Sequence, residues 1–186
     1  MPTIAIIDNG RGADRLAQLV RGSKIVKPSA VPTADAYILS DGQLSPAVEK
    51  ANISLIKSNN APILGIGAGY LCIGLAYGAK TKPASCSRNE RITITQRSPI
   101  LLDLKKTFTA VVEQKLRLDE LPPALGSVAA CPKNPNAVVQ HGANLDSPAD
   151  SPLPQFGVHF NPELGMEGMA VLNNFLHFVE MWKKYH

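Results

Sequence analysis

The sequence predicts an α/β fold in which a mostly parallel central sheet is flanked by helices, with a small antiparallel section. Short apolar runs alternate with amphipathic segments as far as Ala79, which is typical of parallel sheets covered on both faces. From Arg91 onward, apolar residues recur with period two between proline-rich connections, which favours antiparallel strands. The length of 186 residues predicts one domain spanning 1–186.

The parallel section is expected to use strands at 3–7, 23–26, 36–39 and 62–66. Helices are expected at 14–21 and 45–58, and an apolar run at 71–79 follows the last of these strands. Turn residues at 8–10, 40–43 and 66–69 stand where three strands end. Because ligands bind beyond the carboxyl ends of parallel strands, any site is expected at these three loops.

The later part of the chain predicts strands at 91–96, 107–112, 127–131, 137–141 and 155–160. A polar segment at 144–154, rich in proline, aspartate and serine, indicates a surface loop. The final segment, 168–185, has apolar residues at helical spacing and predicts an amphipathic closing helix.

The stretch around Gly65, Gly67 and Gly69 predicts a sharp turn from a strand into a helix. In hydrolases with such an elbow, the residue at the turn is the nucleophile and backbone donors lie beside it. The residue in that place is Gly67, which has no side chain. The free N–H groups of the helix N-terminus are nevertheless able to hold an anion.

Composition narrows the class of protein. The formal charge is +4 and the lysines and arginines are scattered, so a nucleic-acid surface is disfavoured. No apolar run reaches the ~20 residues that span a bilayer, and no signal segment is recognised, so we expect a cytoplasmic protein without membrane contact. Cys72, Cys86 and Cys131 lack disulfide-framework or zinc-ligand spacing, and no metal or cofactor is predicted.

Several segments together resemble class I glutamine amidotransferases. The sequence PILGIGAGY at 62–70 is similar to their nucleophile turn, Gly-Ile-Cys-x-Gly-His/Tyr-Gln. The sequence GVHFNPE at 157–163 resembles their second motif, Gly-Val-Gln-Phe-His-Pro-Glu, and 7–10 and 39–42 are similar to the opening strand and the oxyanion loop. Within the family, the sequence is most similar to the stand-alone glutaminase subunit of archaeal-type GMP synthases.

The resemblance implies a flavodoxin-like fold and glutamine hydrolysis by a cysteine thiolate, a histidine and a glutamate, with ammonia passed to a synthetase partner. The corresponding positions are Gly67, Asn161 and Glu163, so only the glutamate is retained. The usual Gly-Gly of the oxyanion loop is Asp41-Gly42, whose aspartate either faces the oxyanion place or turns away. A Ser-His pair expected near 113–116 is absent.

Other residues offer few substitutes for the missing groups. His159 is a candidate for a displaced base if residues 155–160 form one strand, and otherwise it is a histidine packed under the site. Cys72 points away from the elbow on the helix, and neither Cys86 nor Cys131 has a neighbouring histidine. Gly10-Arg11-Gly12 is a weak phosphate-loop signal because the full fingerprint is missing.

These observations predict a catalytically inactive, glutaminase-like pseudoenzyme with a binding, regulatory or partner role. The alternative is an active glutaminase subunit that releases ammonia for a partner synthetase. A third possibility is another hydrolytic or transfer reaction using Asp8, Asp41, His159 and Glu163. A small anion or amide ligand at the elbow would contact the backbone of Gly42, Gly67, Ala68 and Gly69.

Overall fold

One nine-stranded sheet forms the centre of the molecule. A computed structural model describes residues 1–186. The strands are β1 (Ile4–Ile7), β2 (Gly10–Arg11), β3 (Lys24–Val26), β4 (Ala36–Leu39), β5 (Asp41–Gly42), β6 (Ile63–Ile66), β7 (Thr81–Pro83), β8 (Asn89–Ile94), β9 (Thr107–Val111), β10 (Leu116–Leu118), β11 (Leu125–Cys131), β12 (Asn134–His141) and β13 (Gln155–Val158). The helices are α1 (Ala13–Leu19), α2 (Pro46–Ser58), α3 (Ala68–Ala76) and α4 (Met169–Tyr185).

The parallel half of the sheet has the order β3-β1-β4-β6-β13, which is the flavodoxin-like order. Every residue of β1, β4, β6 and β13 is buried, as expected for strands with helices on both faces. Helix α2 begins where predicted, because the Ser45 hydroxyl accepts a hydrogen bond from the Val48 N–H at 3.3 Å and Pro46 occupies the first turn.

The antiparallel section is larger than expected. Strands β12, β11, β8 and β9 continue from β13 and extend the same sheet in the order β13-β12-β11-β8-β9. The predicted fold class, an α/β sheet with parallel and antiparallel parts, is confirmed. The two parts form one sheet because β13 pairs with a parallel strand on one side and an antiparallel strand on the other.

Two local expectations need correction. The strand predicted at 155–160 ends at Val158, so His159 and Asn161 lie in the loop beyond β13 and do not share a strand face. Two small ribbons, β2 with β5 and β7 with β10, were also not expected, because strands of two or three residues are too short to show a hydrophobic period.

The sheet carries a hydrophobic core on each face. Successive residues of β1 alternate between a cluster of 27 buried residues, which includes Ile6, and a second cluster of 15, which includes Ile7. Helix α3 contributes Leu71 and Ile73 to the second cluster, so the elbow between β6 and α3 is anchored by packing on this face. No helix is both long and apolar enough to cross a bilayer.

Candidate active site

The elbow forms as the glycines predict. Gly67 lies between β6 and α3 with φ 54° and ψ −104°, a conformation that side chains strongly disfavour. The Gly67 N–H donates to the carbonyl oxygen of Val158 at 3.0 Å, which ties the turn to the end of β13. Gly69 approaches the Leu39 backbone so closely that a Cβ atom there would overlap it. Close packing therefore requires glycine at position 69, whereas the backbone at position 67 is strained for any residue with a side chain.

A hydrogen-bond network brings the loop after β4 to this elbow. The Asn9 N–H donates to the Ser40 hydroxyl at 2.9 Å, and the Asn9 side chain donates to the Ser40 carbonyl at 2.9 Å. Asn52 of α2 donates to the Asn9 side chain at 2.9 Å. The ribbon of β2 and β5 then pairs Arg11 with Asp41. These contacts fix the start of the 41–42 segment directly over the elbow.

The Asp41 side chain points into the site and is completely buried. Its carboxylate accepts hydrogen bonds from donors on five residues. Oδ1 accepts from the N–H groups of Gly42 and Ala68, both at 2.8 Å, and from Gln114 Nε2 at 2.9 Å; Oδ2 accepts from Arg11 Nη2 at 2.5 Å and Asn161 Nδ2 at 3.0 Å. A buried carboxylate is stable when donors and an opposite charge surround it in this way.

The same carboxylate occupies the space in which a side chain at position 67 would begin. A Cβ atom built on Gly67 overlaps both Cγ and Oδ1 of Asp41. The Asp41 carboxylate also accepts a hydrogen bond from the N–H of Ala68, the first residue of α3. The positive end of the helix dipole at this point favours an anion. Asp41 thus supplies a fixed negative charge at the helix N-terminus, and Gly67 leaves room for it.

Asn161 joins Asp41 to Glu163. Its side-chain Nδ2 donates to Asp41 at 3.0 Å and to Glu163 Oε1 at 3.2 Å, and its Oδ1 accepts from the Glu113 N–H at 3.0 Å. All polar atoms of this buried amide are engaged. An amide does not accept a proton near neutral pH, so Asn161 is able to position groups but unable to act as a general base.

Glu163 is buried and lacks a histidine to orient. Its Oε2 has no hydrogen-bond partner. Burial, with smaller contributions from the charges of Asp41 and Glu113, raises the pKa of Glu163 to about 7. Near neutral pH the side chain is therefore close to its midpoint between the acid and the carboxylate.

His159 lies in the same region but makes no hydrogen bond through its side chain. Its ring is buried, packs 5.5 Å from the Tyr70 ring between centroids, and leaves both nitrogens without partners. Burial lowers the pKa of His159 to about 4, so the ring is neutral at pH 7. The predicted role as a displaced base therefore rests on a weakly basic group without a polar contact to Asp41 or Glu163.

Two residues that donate hydrogen bonds to the Asp41 carboxylate, Arg11 and Gln114, were not predicted from the sequence. The weak Gly10-Arg11-Gly12 signal contained the Arg11 cation, whose Nε also lies 3.6 Å from the Glu113 carboxylate. Gln114 falls in the segment that was noted only for its missing Ser-His pair. In front of Arg11 lies an open cleft of about 390 Å³ that is lined by Asn9, Gly10, Arg11, Gly42 and Gln43.

The structure therefore gathers Gly42, Gly67, Ala68, Asn161 and Glu163 around Asp41. Gly69 serves close packing against Leu39. Asp8 is exposed and accepts a hydrogen bond from the Gly10 N–H at 2.9 Å. No three histidine, cysteine, aspartate or glutamate side chains are grouped as a metal site would require.

The family model for class I glutamine amidotransferases matches residues 6–178. The chain belongs to the class I glutamine amidotransferase family. A relative in Methanococcus aeolicus, a glutamine-hydrolyzing GMP synthase subunit, is 27% identical over 92% of this chain and 95% of its own length. Anthranilate synthase component 2 of Thermus thermophilus is 27% identical over 76% of this chain and 70% of its own.

Solved structures support the same fold for this amidotransferase-family chain. A protein described as a GMP synthase subunit from Thermoplasma acidophilum superposes with a TM-score of 0.85 at 21% identity, covering 99% of this chain and 96% of that one. A glutamine amidotransferase from Thermotoga maritima gives a TM-score of 0.68 at 15% identity, covering 99% and 86%. The predicted resemblance to the family is confirmed.

Proposed function

We propose that this amidotransferase-family chain is a catalytically inactive, glutaminase-like protein with a binding, regulatory or partner role. One observation supports the proposal above the others. The Asp41 carboxylate fills the space at Gly67 where the side chain of a nucleophile would begin, and it accepts a hydrogen bond from the Ala68 N–H. In this arrangement the site has neither a nucleophile nor room for one.

The chemistry of the remaining residues supports the same proposal. Covalent hydrolysis of an amide needs a nucleophile and a group that carries a proton to the leaving amine. Gly67 provides no nucleophile, and Asn161 cannot carry the proton. Loss of a nucleophile or base in a covalent hydrolase lowers kcat by about 10⁶. The Asp41 charge also disfavours the oxyanion that would form at the Ala68 N–H.

The partner role is proposed from the relatives. Their names describe one as part of a GMP synthase and another as a component of anthranilate synthase, and the match to the former covers nearly the whole of both chains. We propose a synthetase-type protein partner for this chain. A small anion or amide ligand at the elbow would first have to displace Asp41, so a partner surface is the simpler role.

The alternative is an active glutaminase subunit, which the wording "glutamine-hydrolyzing" in the name of the Methanococcus aeolicus relative favours. It would require the partner to expel Asp41 and to bring another nucleophile to the elbow.

Ammonia release from glutamine separates the two functions. The purified chain should release none above background from pH 5 to 9, alone or with a candidate synthetase encoded in the same genome. His159→Gln is the matched variant, because it removes the proposed displaced base. Turnover that disappears in this variant would contradict the inactive assignment. Co-elution of chain and synthetase on size exclusion, with and without glutamine, tests the partner role separately.

A further inference from the structure

Two cysteines that are distant in sequence lie side by side. Cys86 is in the loop between β7 and β8, Cys131 is the last residue of β11, and their Sγ atoms are 4.0 Å apart. Neither takes part in the hydrogen bonds around Asp41. Cys72, the third cysteine, is buried in α3. Nothing in the sequence indicated this pair, because the two positions are 45 residues apart.

We propose that Cys86 and Cys131 are a thiol-oxidation site, at which exchange with a small external disulfide forms a reversible intramolecular disulfide. The bond requires the sulfur atoms to approach to about 2.05 Å. The loop at 84–88 has no regular secondary structure, and the pairing of β11 with β12 shifts register between Ala129 and Cys131. Both sides of the pair thus have backbone that is able to adjust.

The exposure of the two cysteines determines the order of the exchange. Cys86 is half-buried and Cys131 is buried, so Cys86 meets the external disulfide first. Its thiolate attacks one sulfur of the external disulfide and releases one external thiol. The Cys131 sulfur then attacks Cys86 Sγ and releases the second external thiol. The protein loses two electrons and two protons, and the external disulfide gains both.

Neighbouring charges and burial make this exchange slow near neutral pH. Burial, together with smaller contributions from Cys131 and Glu90, raises the pKa of Cys86 to about 12, and Arg117 opposes part of this shift. Burial and Glu90 also raise the pKa of Cys131. Because the thiolate is the attacking form, the rate should increase about tenfold per pH unit below these pKa values. The pair therefore responds to sustained oxidation and not to brief exposure.

Thiol counting on the full chain tests the proposal. The protein is incubated with oxidised glutathione at pH 8.5, unfolded and alkylated, and its mass is measured by mass spectrometry. Alkylated thiols should fall from three, the total in the sequence, to the single one of Cys72. A cross-linked peptide should join Cys86 and Cys131, and oxidation should be about tenfold faster than at pH 7.5. The melting temperature should rise by about 5–10 °C and return with reductant.

Single variants test the order of the two steps. Cys131→Ser should trap one glutathione on Cys86, whereas Cys86→Ser should keep its remaining thiols free. Cys72→Ala is the control and should still form the cross-link. The proposal is overturned if the wild type retains all its thiols, if it accumulates glutathione on Cys86 without losing the Cys131 thiol, or if the cross-link involves Cys72 or a second chain.

Discussion

At the scale of single residues, the decisive feature is the mutual exclusion of Asp41 and a side chain at position 67. Gly67 meets two requirements at once, a positive φ of 54° and space for a neighbouring carboxylate. The negative charge at the start of α3 comes from the Asp41 carboxylate, which accepts hydrogen bonds from donors on five residues. An internal carboxylate so held competes directly with any external anion.

Gly67→Ala should lower the free energy of unfolding by about 3 kcal/mol, because it adds overlap with Asp41 to the cost of a positive φ. Gly22→Ala is the matched control. Gly22 also has a positive φ, 75°, but open space around it, and about 1 kcal/mol is expected there. Denaturant titration measures both changes. Equal losses at the two positions would show that Asp41 does not occupy the elbow.

Glu163 should make stability depend on pH. Its pKa is raised from 4.5 to about 7 on folding, so the folded state binds the proton more tightly than the unfolded chain. The resulting stabilisation is present below pH 4.5 and is lost as pH rises through 7. Relative to Glu163→Gln, the wild type should lose about 2 kcal/mol between pH 5 and 8.

Comparison with this variant separates Glu163 from His159. The pKa of His159 is lowered to about 4, so His159 adds stability as pH rises from 4 to 6.5, which is the opposite slope. This contribution is present in both proteins and cancels in their difference. A constant difference between wild type and Glu163→Gln across the range would contradict the raised pKa.

The sequence could identify the missing groups of the site but not what replaced them. Gly67 and Asn161 stand out because they occupy motif positions. Asp41 also occupies a motif position, in the oxyanion loop, but Arg11 and Gln114 carry no such signal, since they lie 30 and 73 residues from Asp41. The direction of the Asp41 side chain was also left open, because only the folded site shows how many donors converge on it.

At the scale of elements, helix α3 connects the elbow to the antiparallel half of the sheet. The buried Tyr70 hydroxyl donates to the Asn136 carbonyl at 2.7 Å and accepts from the Leu118 N–H at 3.0 Å and Asn134 Nδ2 at 3.3 Å. These bonds join α3 to β10 and β12. The long apolar strands could be predicted from their residue pattern, but this cross-connection could not, because it pairs polar groups that are far apart in sequence.

Tyr70→Phe should destabilise the protein by about 2 kcal/mol, because it leaves a buried N–H and a buried carbonyl without their partner. Tyr185→Phe is the control, since Tyr185 is 67% exposed, and it should change stability by less than about 0.5 kcal/mol. Thermal unfolding of the two variants provides the comparison. Similar melting temperatures for both would argue against the Tyr70 connection.

At the scale of the whole molecule, the parallel and antiparallel halves share one sheet and one hydrophobic cluster. That cluster includes Ile6 and Leu64 from the parallel half, Phe108 and Val128 from the antiparallel half, and Phe175 from α4. The prediction that 1–186 forms one domain is consistent with this shared packing but needs its own test, because a continuous sheet does not by itself establish cooperative unfolding.

The two halves should unfold in one transition. Trp182, the only tryptophan, reports on α4, while far-ultraviolet circular dichroism reports on the secondary structure of the whole chain. Because α4 packs on the shared cluster, the two denaturation curves should coincide. Distinct midpoints would instead indicate two units that unfold independently.

Covalent capture at position 67 most directly tests whether Asp41 blocks the nucleophile place. The double variant Gly67→Cys/Asn161→His introduces a thiol and an imidazole at these positions. It is prepared with and without Asp41→Gly, and both proteins are exposed to an electrophilic glutamine analogue. Mass spectrometry then follows modification at position 67. With Asp41→Gly, labelling should be at least about tenfold faster, because the carboxylate no longer fills the site. Equal labelling rates in the two proteins would contradict the blocking role of Asp41.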